Sequence, residues 1–247
     1  MSAGIVAIIP ARGGSQGIPR KNVKPFAGKP LIVWTIEQAL AAKNVDRVIV
    51  STDGEEIADI AVAHGAEVPF LRPDEISVSS TAIEPVMHHL SEWLRLNEGA
   101  NAEALVLLFP TSPLRQVEHI EDAVDLFRRS EVDSVVTVNE SPAHYTPYWT
   151  LVRNEQGQVS YFGGTDIRKG YTRRQDFPQK CFAKNDLVFV VRPDNLSAEV
   201  PSLYGSKVEL LEIDRLYEGD INEPEDWDLV ELKFNYLASR AKPGTTT

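Results

Sequence analysis

Along its first 140 residues the chain alternates between two apolar patterns, and this alternation narrows the possible folds more than any other feature. GIVAIIP (4–10), RVIVS (47–51), ALVLLFP (104–110) and SVVTV (134–138) are short, β-branched and almost continuously apolar. Such runs suit parallel strands buried on both faces. Between them, LIVWTIEQALAA (31–42), EEIADIAVAHG (55–65), AIEPVMHHLSEWLRL (82–96) and VEHIEDAVDLFRRS (117–130) place apolar residues at helical spacing. Gly65 stands where a glycine stop belongs, and Pro85 fits the first turn of its helix. Strand–helix alternation predicts a doubly wound α/β domain with a mostly parallel sheet, Rossmann-like, whose ligand site lies beyond the carboxyl ends of the strands.

After Val138 the rhythm breaks. Residues 139–182 are rich in Pro, Tyr, Gly and charge, and WTLVRNEQGQVSYF (149–162) reads as a hairpin turning at 154–157. Regular pattern returns with DLVFVV (186–191) and KVELLEI (207–213), and a helix over 224–239 closes the fold with Pro224 in its first turn. The expected division is an α/β domain over 1–138 and 183–240, a small β-rich insert over 139–182, and a flexible tail over 241–247.

Length and charge bound the function. At 247 residues the chain is expected to form one domain with an appendage. A net charge of -11 argues against a general binder of nucleic acid or anionic membrane. A single cysteine, Cys181, rules out an intrachain disulfide and a cysteine-cluster metal site. It also suits a reducing compartment. No secretory leader pattern and no run of about eighteen apolar residues is present, so a cytoplasmic location is expected. The histidines show no metal spacing.

Against that acidic background, ARGGSQGIPRKN (11–22) stands out directly after the first strand. It is neither a P-loop nor the dinucleotide pattern GxGxxG. Gly13, Gly14 and Gly17 allow backbone N–H groups to converge on an anion, and Arg12 and Lys21 supply charge for a triphosphate. The alternative is a glycine-rich turn with ordinary surface cations. PTSPLR (110–115) follows another strand; Thr111 and Ser112 are candidate hydrogen-bonding groups beside an acceptor pocket, or else parts of a structural turn and helix cap.

Five stretches in order, IIPARGGSQGIPRKN, VIVSTDGEEIADIA, LRPDEIS, LLFPTSPLR and DINEPED, resemble the acylneuraminate cytidylyltransferases, with the CMP-Kdo synthetases as relatives. The resemblance spans nearly the whole chain, from Ile5 to about Asp228. It implies an α/β nucleotidyltransferase that couples CTP to a small acidic sugar and releases pyrophosphate with Mg²⁺. It also implies a homodimer whose insert reaches toward the partner's site. By the same resemblance Arg12, Lys21 and Asp220 are catalytic. The nucleotide site comprises Ala11, Arg12, Gly13, Gly14, Ser15, Gln16, Gly17, Lys21, Asn22 toward the ribose and Arg72 toward the base. The acceptor site comprises Phe109, Thr111, Ser112, Arg174 and Asn185, and the metal ligands are Asp220 and Asn222. Asp53 is read chiefly as a turn residue, and Glu223, Glu225 and Asp226 as charges on the first turn of the last helix.

Several positions depart from the family pattern. Gln16 replaces a lysine, Phe109 a glutamine that touches the sugar, Ala183 an arginine near the acceptor carboxylate, and Asn222 the second carboxylate of a DID pair. The stretch ISVSST (76–81) is also altered. An apolar Phe109 cannot supply the hydrogen bonds of an amide. The expectation is therefore a retained nucleotide scaffold with a changed acceptor pocket, for a nonulosonic or 3-deoxy-keto sugar acid. The alternatives are a nucleotidyltransferase with another base or acceptor, such as a sugar phosphate or phosphonate, and a catalytically weakened nucleotide-binding relative.

Overall fold

The computed structural model describes residues 1–241. Of the tail expected at 241–247, residues 242–247 lie outside the described residues.

The elements follow the order β1 (Ser2–Pro10), β2 (Pro25–Phe26), β3 (Lys29–Pro30), α1 (Leu31–Ala41), β4 (Arg47–Ser51), α2 (Glu55–Ala63), α3 (Ile83–Trp93), β5 (Asn101–Leu107) and α4 (Val117–Ser130). They continue as β6 (Ser134–Glu140), β7 (Leu151–Arg153), β8 (Val159–Tyr161), β9 (Phe182–Val191), β10 (Val208–Glu212) and α5 (Pro224–Ala241). Six strands form one sheet in the order β10-β6-β9-β5-β1-β4. β1 is parallel to β4 and β5, and β10 is parallel to β6. β9 runs antiparallel between β5 and β6, so the sheet is mixed but mostly parallel.

The apolar runs are nearly continuous because both faces of the sheet are covered. Along β1, Ile5, Ala7 and Ile9 join one core with Ile36 of α1, Ala61 of α2 and Val124 of α4. Val6 and Ile8 point the other way, into a second core with Val86, Met87 and Leu90 of α3. Each such fully buried side chain contributes roughly 1.5–3 kcal/mol. A third cluster joins Ile18, Phe26, Leu31, Leu114, Ile221, Trp227 and Val230, with the Phe26 ring edge-on to Trp227 at 5.5 Å. It fastens α5 and the far end of the 11–22 loop to the domain.

The chain passes from β1 outward to β4, then returns across β1 to form β5 on its other side. The carboxyl ends of β1 and β5 therefore flank a topological switch point, where ligands bind in such sheets.

Three boundaries differ from the sequence reading. α3 runs on into a π-helical turn over Leu94–Glu98, ended by Gly99 at φ 61°. β5 begins at Asn101, ahead of its apolar run, because Ser2 and Asn101 are already paired. β9 begins at Phe182, since Phe182–Lys184 pair with Val138–Glu140 across a register shift. The segment between β6 and β9 holds the β7–β8 hairpin, whose Gly157 N–H donates to the Asn154 carbonyl. Tyr148, Trp149, Tyr171 and Phe177 pack their rings together there, with centroid separations of 4.9 to 5.8 Å.

Candidate active site

A cleft of about 400 Å³ opens at the carboxyl ends of β1 and β5. The loop after β1 lines it with Arg12, Ser15, Gln16, Gly17, Lys21 and Asn22. The segment leading into α3 adds Arg72, the turn after β5 adds Phe109 and Thr111, and the approach to α5 adds Asn222 and Glu223.

Side-chain ties hold the loop in this shape. Asn22 is buried, and its Nδ2 donates to the Arg12 carbonyl at 3.1 Å. The Gly13 N–H donates to Asp53 Oδ1 at 2.8 Å, which gives Asp53 the task of fixing the loop to the end of β4. Lys21 Nζ donates to the Ile221 carbonyl at 2.6 Å. Gly17 lies against residues 222–223 so closely that a Cβ there would stand 2.3 Å from the Asn222 carbonyl oxygen. Only glycine permits that approach.

The cleft is cationic at its inner end. Arg72 is 7% exposed. Its Nη2 donates to the Ser51 carbonyl at 2.8 Å, and its Nε is buried with no partner. Burial pulls the Arg72 pKa down and the nearby Arg12 adds to this, while Asp53 opposes it. The Lys21 ammonium is also held below its ordinary pKa, chiefly by burial and then by Arg12, against the pull of Asp220, Glu223 and Asp226. Arg12, Lys21 and Arg72 thus concentrate positive potential in one place on an acidic chain. A potential of this kind suits a polyanion such as an oligophosphate.

The turn after β5 is set by a residue the sequence did not single out. Arg115 is completely buried. Its Nη2 donates to the Phe109 carbonyl and its Nε to the Leu187 carbonyl, both at 2.6 Å. Nη1 reaches Thr35 Oγ1 at 3.3 Å and Gln38 Oε1 at 3.4 Å. All four acceptors are neutral oxygens, and burial lowers the Arg115 pKa to about 9, which still leaves it charged at neutral pH. Arg115 therefore fixes where Phe109 and Thr111 stand.

Other expected site residues lie off the cleft. Ala11 is buried beneath the loop, and its N–H donates to the Ser51 carbonyl. Gly13 faces Asp53 and Gly54, and Gly14 faces open space. Ser112, expected at the acceptor, is instead buried in the tight turn, where its Oγ donates to the Asp186 carbonyl at 3.2 Å. Asn185, also expected there, is buried where β9 shifts register; its Oδ1 accepts the Leu187 N–H at 3.2 Å and its Nδ2 has no partner. Arg174 lines a separate cleft of the insert with Glu140, Thr146, Phe177 and Lys180.

Before α5 the acidic residues divide their work differently from expectation. Asp226 Oδ2 accepts the N–H groups of Asn222 and Glu223, both at 2.9 Å, and so caps the helix. Glu223 does not; its carboxylate faces Gly17 and the cleft. Asp220 stands behind Asn222 and accepts its Nδ2 at 2.7 Å. Sequence spacing cannot tell which of several neighbouring acids turns inward.

Comparison with known proteins gives the family and the fold. A sequence profile described as cytidylyltransferase matches residues 6–212. The chain is 32% identical over 232 residues to the CMP-N,N'-diacetyllegionaminic acid synthase of Legionella pneumophila, covering 92% of this chain and 94% of that one. It is 31% identical over 235 residues to an N-acylneuraminate cytidylyltransferase of Streptococcus agalactiae, covering 94% of this chain and 54% of that one. Among solved structures, a CMP-2-keto-3-deoxy-manno-octonic acid synthetase complexed with CTP superposes with a TM-score of 0.68 at 20% identity, covering 94% and 99% of the two chains. At that identity the likeness speaks for the fold.

Proposed function

Because the chain belongs to the acylneuraminate cytidylyltransferase family, we propose that this cleft is where it performs that family's transfer on its own acceptor. The enzyme is a cytidylyltransferase: CMP passes from CTP to an acidic sugar, and pyrophosphate leaves. The acceptor oxygen attacks the α-phosphorus as the bond to the β-phosphate breaks. Arg12 and Lys21 carry the charge that collects on the pyrophosphate, and backbone N–H groups of the loop assist. Arg72, with Nη2 already bound to the Ser51 carbonyl, orients the nucleotide from the cleft wall. Asn22 and Ser15 complete the nucleotide contacts, and Phe109 and Thr111 face the acceptor.

The observation that carries this reading is the convergence of Arg12, Lys21 and Arg72 on one cleft at the switch point of the sheet.

Magnesium is part of the proposal. Among the described residues no group of three or more His, Cys, Asp or Glu side chains could hold a metal. Asn222 and Glu223 line the cleft with an amide oxygen and a carboxylate, and Asp220 offers a second carboxylate from beside Asn222, though it does not itself line the cleft. That oxygen-only set fits Mg²⁺, which is commonly bound by one or two carboxylates together with substrate phosphates. When bound, the ion would offset phosphate charge.

We propose a homodimer for the insert. Phe162 is 61% and Tyr145 69% exposed, and Leu151 and Ile167 are also uncovered. Exposed apolar side chains of this size on one small insert suit burial against a second copy. Arg174, which lines a separate cleft of its own chain, then has its acceptor role through the partner or not at all, while the buried Asn185 acts from behind the turn that carries Thr111. No helix among the described residues is long and apolar enough to cross a membrane. With Cys181 unpaired, a cytoplasmic setting goes with the reading.

The test is pyrophosphate release with each of the four nucleoside triphosphates against keto-sugar acids, sugar phosphates and phosphonates. Turnover with CTP and a nonulosonic or 3-deoxy-keto sugar acid is expected. Preference for GTP, or turnover confined to a sugar phosphate, would overturn the assignment.

A further inference from the structure

The cleft has two chemically distinct sides. Its polar side is the 11–22 loop with Arg72. Across from it stand Ile76, Val78, Ala82, Ile83, Val86 and Phe109. Val78 and Ala82 are exposed at its rim, and Ile76, Ile83, Val86 and Phe109 are half-buried or buried. Val86 belongs to the second core, and Ile83 and Phe109 pack against that core from the cleft side. The Phe109 carbonyl offers no substitute acceptor, because it already accepts from Arg115 Nη2 at 2.6 Å and from Thr35 Oγ1 at 3.4 Å. The side-chain hydroxyls that line the cleft beside these residues are those of Ser79, Thr81 and Thr111, and Ser79 is solvent-exposed.

A sugar hydroxyl pressed against Phe109 would lose water and gain no partner, whereas a methyl or acyl group would lose nothing and bury apolar surface. We propose that the acceptor presents an apolar substituent to Phe109 where a polyol would present a hydroxyl. Phe109 is thereby the residue that determines acceptor specificity. The enzyme's acceptor class is a deoxy or N-acylated sugar acid whose end away from the reacting oxygen is apolar. This rests on the cytidylyl-transfer reading of the same cleft. An apolar pocket discriminates against an added hydroxyl by about 100-fold and against a missing methylene by roughly 10- to 200-fold, which sets the size of the effect.

The experiment uses the full chain at saturating CTP with two nonulosonic acids that differ only at the terminal carbon, methyl in one and hydroxymethyl in the other. kcat/KM is measured for both in the wild type, Phe109→Gln and Phe109→Leu, and CTP affinity is measured separately by calorimetry. Wild type is expected to favour the methyl acid by about 10- to 200-fold. Phe109→Leu keeps that preference, and Phe109→Gln cuts it at least about tenfold by offering the hydroxyl a partner, with CTP affinity unchanged in both. A wild-type ratio near one overturns the proposal, as does a ratio that Phe109→Gln leaves intact. A loss of CTP affinity in Phe109→Gln with the ratio preserved also overturns it, because it would place the ring against the base. Absence of turnover on any acidic sugar, with CTP still binding, would instead defeat the transfer reading itself and this proposal with it.

Discussion

His119 stands at the start of α4, 9% exposed, and its Nδ1 accepts the Gln116 N–H at 3.3 Å. Its ring also meets Tyr217 edge-on at 4.8 Å. Burial, with the buried Arg115 charge adding to it and Glu118 opposing, lowers its pKa from 6.5 to about 4. The folded state therefore holds a neutral imidazole where the unfolded chain takes a proton first. Stability is complete above pH 6.5, falls as pH drops through the window from 6.5 to about 4, and levels off below it. A gap of about 2.5 pH units at 1.36 kcal/mol each makes this single residue worth roughly 3 kcal/mol of acid sensitivity. His119→Gln keeps an acceptor for the Gln116 N–H, in the manner of a capping box, but cannot titrate. Urea unfolding at pH 7, 6, 5 and 4 should show wild type losing roughly 3 kcal/mol more than the variant across that range. Parallel pH profiles for the two proteins, or an NMR titration of His119 centred near 6.5, would refute the reasoning.

Further outcomes follow from the site. Gly17→Ala forces the loop away from the Asn222 carbonyl, so CTP affinity measured by calorimetry should fall at least about tenfold, with a stability loss of about 1–3 kcal/mol. Lys21→Ala should reduce pyrophosphate release by at least about 100-fold, the scale of losing one charge-stabilising donor, while circular dichroism stays native. Arg115→Met strands the Leu187 and Phe109 carbonyls, so urea denaturation should show a loss of about 2–4 kcal/mol after allowance for the relief of a buried charge. Asn222→Asp restores a second carboxylate beside Asp220, and Mn²⁺ affinity in the presence of CTP, read by electron paramagnetic resonance, should rise.

Much of the scaffold was legible because burial on both faces of a parallel strand writes an uninterrupted apolar run. β1, β4 and the cores on either side follow from 4–10 and 47–51 without reference to anything distant. The 11–22 loop was legible for a different reason: dense cations and glycines in an acidic chain need a local purpose. What sequence could not supply were facts that depend on residues far apart. The start of β9, FAKND, carries no apolar run and pairs because β6 extends beside it. Arg115 reads as a surface cation until four neutral oxygens from α1, β9 and its own turn enclose it. Asp226 and Glu223 are interchangeable on paper, and the backbone path alone makes one a cap and the other a lining residue. The apolar wall opposite the loop joins α3 to the turn after β5, two segments more than twenty residues apart in sequence.

In the proposed reaction Arg12, Lys21 and Arg72 hold CTP in the cleft while an acidic sugar attacks its α-phosphate. The most direct measurement supplies CTP labelled at the α-phosphate together with a nonulosonic acid and follows the label in wild type and Arg12→Ala. Label is expected to move into a CMP–sugar conjugate with one pyrophosphate released per transfer, and Arg12→Ala is expected to nearly abolish both. Label that stays in CTP or appears only as free CMP, or equal transfer by the two proteins, would contradict the proposed reaction.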